Sequence, residues 1–364
     1  MRILRTYILK ELLQPTCMAL VLFTFVLVVG NLVKLTDLLI NKGVSTLSIF
    51  QMFGLLIPSL LSYTLPMAVL TGTLLAFGKL SSDREILAMK ASGISFYAIS
   101  APVLLVGLLI SIGLIPINTH AVPWSHYATR QLLVDIGVRN PAAFLEGGTF
   151  IKEFKPYILF IYQVDGNKLS KIRIYEPKEG FPTRTIVAQR GEFIPVPKEQ
   201  RVLLKLYDGA ADEPDPNNPM KFYKLQFQTY TLNMLVGEGT DPKTLGRKPK
   251  DMDMAQLRAE MQKLSSEGID PIPLRVELHR RFSMAFSPLV FILTGLPLGI
   301  TTRRAQRSVG FGLSVVIFVG YYLFLVLGQT LAEKGILPAA PAVWIGNAVF
   351  FVIGSFLLWR TARQ

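Results

Sequence analysis

The chain has 364 residues, is 51% hydrophobic and carries 38 Lys and Arg against 25 Asp and Glu, a formal net charge of +13. That apolar content exceeds what an ordinary soluble domain holds, and it moves the basic balance away from nucleic acid and towards residues that flank membrane spans. The single cysteine, Cys17, excludes an intrachain disulfide.

The opening, MRILRTYILKELLQPTCMALVLF, reads as a basic amphipathic lead-in to an uncleaved first span. No small-x-small cleavage site follows the apolar run, which closes at Gly30-Asn31-Leu32-Val33-Lys34. A helix needs about 20 apolar residues to cross a bilayer core. Six stretches qualify. They lie between Glu11 and Lys34, from about Phe53 to Phe77, from about Tyr97 to Ile117, between Arg281 and Arg303, between Arg307 and Glu333, and between Lys334 and Arg360. Together they predict a multi-pass helical membrane protein. If the N-terminus is cytoplasmic, the inside segments hold Arg2, Arg5, Lys10, Lys79, Arg84, Lys90, Arg303, Arg304, Arg307, Arg360 and Arg363. The outside short loops then hold only Lys34, Lys42 and Lys334. This bias predicts that both termini face the cytoplasm.

One charged stretch, GKLSSDREILAMKASGIS (78–95), interrupts the apolar runs. It predicts a short helix with Ser82 as N-cap, Glu85 reaching back in a capping box, and Gly93 as the stop. Ile86, Met89 and Lys90 share one face at i, i+3 and i+4. So short a helix is marginal alone and needs something to pack against. The residues leave two options equally open: the chain's own spans, or a cytoplasmic partner with a basic group for Glu85.

Between the third and fourth spans lies a polar insert, 120–275. Aromatic and β-branched runs predict strands at 157–164, 171–177, 183–196, 201–209 and 221–235. Asp165-Gly166-Asn167 marks a turn, DEPDPNNP (212–219) a loop, and 253–267 a helix. Short strands at fairly even spacing suggest a sandwich or jelly-roll, placed outside the cytoplasm by the three spans before it.

Catalytic signals are missing. The chain has no Walker A ending, HExxH, zinc cluster or GxSxG, so neither an enzyme nor a bound cofactor or metal is expected. The span interiors hold no Asp, Glu, Lys or Arg, which argues against a proton-coupled pump. Pro58, Pro66, Pro288 and Pro297 mark kinks or breaks in spans two and four. Gly295-x-x-x-Gly299 permits a close helix approach.

RTYILKELLQP, GKLSSDREILAMKASGIS, and ELHRRFSMAFSPLVFILTGLPLGI leading into RRAQRSVGFG carry a resemblance to a known family. In their order and spacing the chain resembles the LptF/LptG (YjgP/YjgQ) lipopolysaccharide export permeases over nearly its whole length, with HRRFSMAFSP pointing to the F-type subunit. The resemblance implies an α-helical integral membrane protein of six spans, three plus three, with an inserted extracytoplasmic β-jelly-roll. The implied parts are 1–119 with a coupling helix at about 82–92, the β domain 120–275, and 276–364.

The resemblance also implies a function. This would be the permease subunit of an ATP-driven exporter in a bacterial inner membrane, which extracts lipopolysaccharide and passes it to a periplasmic bridge. Implied partners are a cytoplasmic ABC ATPase dimer, a sister permease and periplasmic jelly-roll proteins. Glu85 matches the family's acidic coupling residue, with Arg84, Ile86 and Met89 beside it on the same helix. Lys34, and after it Lys42, match basic residues that contact lipid phosphates. Arg280 and Arg281, with His279, run against the positive-inside bias, which suggests a further anionic lipid contact. Other readings are a permease for another lipid or lipoprotein, and a membrane-anchored scaffold that transports nothing.

Overall fold

A computed structural model describes residues 2–40, 45–139, 150–151, 154, 156–165, 168–178, 181–196, 201–215, 218–235, 247–301 and 307–363. They group into two compact units. One comprises Met1–Asn31, Leu55–Tyr127 and Lys248–Gln364; the other comprises Leu32–Gly54 and Ala128–Arg247.

The first unit is helical. Its elements are α1 (Arg2–Ile40), α2 (Thr46–Ser82), α3 (Glu85–Ala91), α4 (Phe96–Pro116), α5 (Val122–Arg139), α6 (Met254–Ser266), α7 (Ile272–Thr301), α8 (Arg307–Glu333) and α9 (Ala339–Arg363), with the ends of α1, α2 and α5 extending into the other unit. Among the described residues six helical stretches are long and apolar enough to cross a membrane, one of them Phe96–Ile136, in which α4 runs into α5 through a π-turn at Ile117–Ala121. The sequence ends this span near Ile117. The helix continues because no Gly or charge stops it until well beyond. Residues 248–275 also belong to the helical unit rather than to the polar insert.

Local chemistry fixes several ends. Ser95 caps α4 by accepting from the Ala98 amide at 3.3 Å. Asp253 and Gln256 form a reciprocal capping box at the start of α6, at 2.8 and 3.1 Å. The four prolines leave α2 and α7 unbroken, so neither helix offers the unwound backbone that coordinates ions in broken-helix transporters. Gly295 and Gly299 do give a close approach. A Cβ at Gly299 would stand 3.1 Å from both the Leu74 carbonyl oxygen and the Phe77 Cβ of α2.

The second unit holds one antiparallel sheet in the order β1-β2-β3-β4-β5-β6. Its strands are β1 (Phe150–Ile151), β2 (Ile158–Asp165), β3 (Lys168–Lys178), β4 (Phe181–Val196), β5 (Arg201–Asp215) and β6 (Asn218–Leu235). Five match the expected strands; β1 is too short to show a pattern. Asp165 pairs with Lys168 and closes the expected turn, while the strands of the last hairpin extend into the expected 212–219 loop.

The expected β domain, inserted between the helices, is present. Among the described residues every strand pairs with its neighbour in sequence, so the sheet is built as an antiparallel meander. Its two layers come from folding that meander across its own strands. Tyr162, Lys171, Gln189, Asp208 and Gln228 form a row in which each of the four ladders from β2 to β6 loses one pair while the pairs on both sides stay in register. Lys171 and Asp208 in that row have φ of 53°. Buried positions step by three across it, as in Leu169/Ile172 and Ala188/Gly191, where a flat strand steps by two. The row is therefore a crease that turns the apolar faces of the two halves towards each other.

Contacts confirm the folding. Thr185, beside Arg184, aligns through Asp212 with Lys224 of β6. Tyr230 lies six residues further along β6, about 20 Å away in a flat sheet. Yet the Arg184 guanidinium stands 3.4 Å from the Tyr230 hydroxyl. Phe154 stacks on Phe193 across the same fold, with centroids 5.4 Å apart. The enclosed core includes Leu159, Ile161, Ile172, Ile174, Ile186, Val202, Leu204, Leu206 and Met234.

Candidate functional site

The stretch around Glu85 forms its helix by a different route from the expected one. The Ser82 backbone is the last turn of α2, so Ser82 does not cap. Asp83 and Arg84 make the turn between the helices, and Arg84 takes a left-handed φ of 60° with no side-chain cap. α3 then starts at Glu85, with the Ala88 amide donating to the Arg84 carbonyl at 3.0 Å. The expected stop does form. Gly93 has φ 79°, its amide donates to the Lys90 carbonyl, and the Ile94 amide donates to the Met89 carbonyl, closing a Schellman motif.

Side chains from three distant segments hold this short helix. Glu85 does not reach back to Ser82; it accepts a 2.7 Å hydrogen bond from the Tyr7 hydroxyl of α1. One turn away, Lys79 pairs with Glu11 at 2.8 Å. At the other end of α3 the Lys90 ammonium donates to the Thr361 carbonyl of α9 at 2.9 Å and sits 5.1 Å from the Phe96 ring centroid. Ile86 is 4% exposed, in a core with Ile8, Leu12, Phe77, Leu80, Phe96, Ile99, Ile292 and Leu296, and Met89, Leu358 and Ala362 pack against that core.

Three of the segments that carry the sequence resemblance thus meet in one cluster. The N- and C-terminal helix ends lie at the same end of the helical unit as α3. Ile86 is directed into the chain's own bundle, and the half-buried Met89 packs against the same cluster. Leu87, 65% exposed, is the apolar residue left facing outward. The sequence reading missed it because α3 is apolar on two faces, and the 3.6-residue period cannot rank them.

The basic residues near the start of α7 are also placed differently from the expectation. Glu277, buried, accepts from the Arg280 Nε and Nη2 at 2.9 and 2.8 Å and from the Arg281 Nε at 2.9 Å. Arg281, 3% exposed, also donates to the carbonyls of Met252 and Pro249 at 2.8 and 2.9 Å, in the turn that leads to α6. These guanidiniums are committed inside the protein. A charge this deeply buried requires such partners, so Arg280 and Arg281 are corrected from lipid ligands to internal ties. The backbone of Lys34 lies in α1, with its side chain outside the described residues, and Lys42 lies outside them altogether.

Comparisons with known proteins show similarity to one family over most of the chain. The family model for the lipopolysaccharide export system permease LptF/LptG matches residues 6–360. The lipopolysaccharide export system permease protein LptF of Escherichia coli K12 is 21% identical over 363 residues, covering 98% of this chain and 94% of that protein. The protein of the same name from Shigella flexneri gives the same figures. An uncharacterised protein of Rickettsia prowazekii is 24% identical over 192 residues, covering 52% of this chain and 53% of its own.

Proposed function

Since the chain belongs to the LptF/LptG family of lipopolysaccharide export system permeases, we propose that it is driven by a separate ABC ATPase docked against α3. It is a multi-pass inner-membrane permease subunit for lipopolysaccharide, not itself an enzyme. The end of the helical unit that carries α3 and both terminal helix ends faces the cytoplasm, as the distribution of basic residues predicts. We read the subunit as F-type, in line with the HRRFSMAFSP stretch and the relatives named LptF.

One observation carries this reading. A helix of seven residues is marginal alone, yet α3 is tied to α1 through Glu85 and to α9 through Lys90. A force applied to its outer face therefore reaches two membrane-spanning helices at once. That outer face presents Asp83, Arg84 and Leu87, and the Glu85 carboxylate keeps acceptor sites beyond the one that Tyr7 fills. Leu87 supplies the apolar anchor of the docking surface, Glu85 its charged contact, and Arg84 a flanking charge. On the opposite side of the membrane Lys34 and Lys42 meet the phosphates of the lipid.

The folded sheet takes the acyl chains, because its two halves enclose a continuous apolar core along the strands, and it hands the lipid to bridge proteins. The long outer strand β6 is the edge that receives them by strand addition. A sister permease completes the cavity.

A photo-crosslinking amino acid at position 87 is expected to capture the ATPase subunit, while the same probe at the buried position 86 captures none. Equal capture at both positions, or none at 87, would remove α3 as the docking element.

A further inference from the structure

Resting on the coupling reading, we propose that Tyr7 is the positioning residue for Glu85. Its hydroxyl sets the carboxylate's direction, and with it the strength of docking to the ATPase. Glu85 sits in the first turn of α3 with a flexible side chain, and nothing on α3 itself holds its carboxylate among the described hydrogen bonds. The expected capping contact to Ser82 is absent, and the residue before it, Arg84, has a left-handed backbone with no cap.

Only the Tyr7 hydroxyl restrains the carboxylate among the described hydrogen bonds, at the 2.7 Å of a charge-assisted bond. Tyr7 can do this because its own ring is fixed. It packs against the cluster of Ile8, Leu12, Leu80 and Ile86, and the Glu11–Lys79 pair one turn along pins α1 to α2. A phenol also suits the task electrically. It donates one proton without adding charge, so Glu85 stays an anion with free acceptor sites for a cation of the partner. An Arg or Lys at position 7 would neutralise the residue it holds.

The test is a double-mutant cycle on the full permease complex in detergent, reading the dissociation constant of the ATPase dimer. Tyr7→Phe keeps the packed ring and removes only the hydroxyl. It is expected to weaken docking by about threefold to tenfold, the range for losing one ordinary, partly exposed hydrogen bond. Glu85→Ala is expected to weaken docking further, and adding Tyr7→Phe to Glu85→Ala to change nothing beyond twofold, because no carboxylate remains to be aimed.

An equal loss from Tyr7→Phe in both backgrounds would make Tyr7 a general structural residue and overturn the proposal. So would unchanged docking of Tyr7→Phe beside a weakened Glu85→Ala. If Glu85→Ala itself docks as tightly as the parent, the coupling reading fails, and the proposal with it.

Discussion

Arg281→Met separates an internal tie from a lipid ligand. The substitution keeps a long apolar stem in a site where the side chain is 2% exposed, and it removes the guanidinium. Four bonds go with it: to Glu277 at 2.9 Å, to the Met252 carbonyl at 2.8 Å, to the Pro249 carbonyl at 2.9 Å and to the Lys250 carbonyl at 3.5 Å. Glu277 keeps Arg280, so its carboxylate is not stranded, but three carbonyls of the turn before α6 lose a partner.

Losing these hydrogen bonds from a charged donor and leaving carbonyls unpaired costs about 3–5 kcal/mol in all. At about 2 °C per kcal/mol for a large cooperative unit, the melting temperature should fall by roughly 6–10 °C. Thermal unfolding of the detergent-solubilised protein measures this directly. A melting temperature within about 1 °C of the parent, together with lost lipopolysaccharide binding, would mean that the guanidinium serves the lipid and that the internal account of Arg281 is mistaken.

Other expectations follow from single positions. Gly299→Val places a branched side chain where even a Cβ stands 3.1 Å from Leu74 and Phe77. It should cost about 1–3 kcal/mol, seen as a lower melting temperature, while Gly312→Ala, which meets nothing within 4 Å, should be silent. Lys171→Gly relieves a φ of 53° at the crease and should raise the stability of the sheet by up to about 1 kcal/mol, whereas Lys171→Val should lower it in the same denaturant titration. Burial, and then the charge of Glu176, hold the Tyr157 phenol above its ordinary value of 10.0. A group with a raised folded-state pKa stabilises fully below its unfolded pKa and loses that contribution as pH rises through the folded one. The sheet should therefore weaken on the alkaline side of pH 10, and Tyr157→Phe should shallow that decline.

Much of the fold was legible in the sequence, and what was not has physical reasons. The spans and five strands show as long apolar runs and as alternation, because burial by lipid or by a sheet imposes those periods directly. The crease does not show. It slips the pattern by one residue, and its left-handed positions are held by Lys171 and Asp208 rather than by glycines that would mark them.

At α3 the capping box Ser82-x-x-Glu85 looked complete, yet α2 claimed the Ser82 backbone and Tyr7, far away in sequence, claimed the carboxylate. Arg280 and Arg281 read as exposed cations because their charge was counted alone. Glu277, three and four residues earlier on the same helix face, was the signal that they are paired.

The central claim is that force from an ATPase enters this permease through α3. Its most direct measurement is lipopolysaccharide release per ATP from proteoliposomes holding the full complex, with Glu85→Lys compared to the parent. The account predicts that the variant inserts into the membrane normally and exports nothing, because the charge that meets the partner's basic group has been reversed. Export at the parent's rate would contradict it.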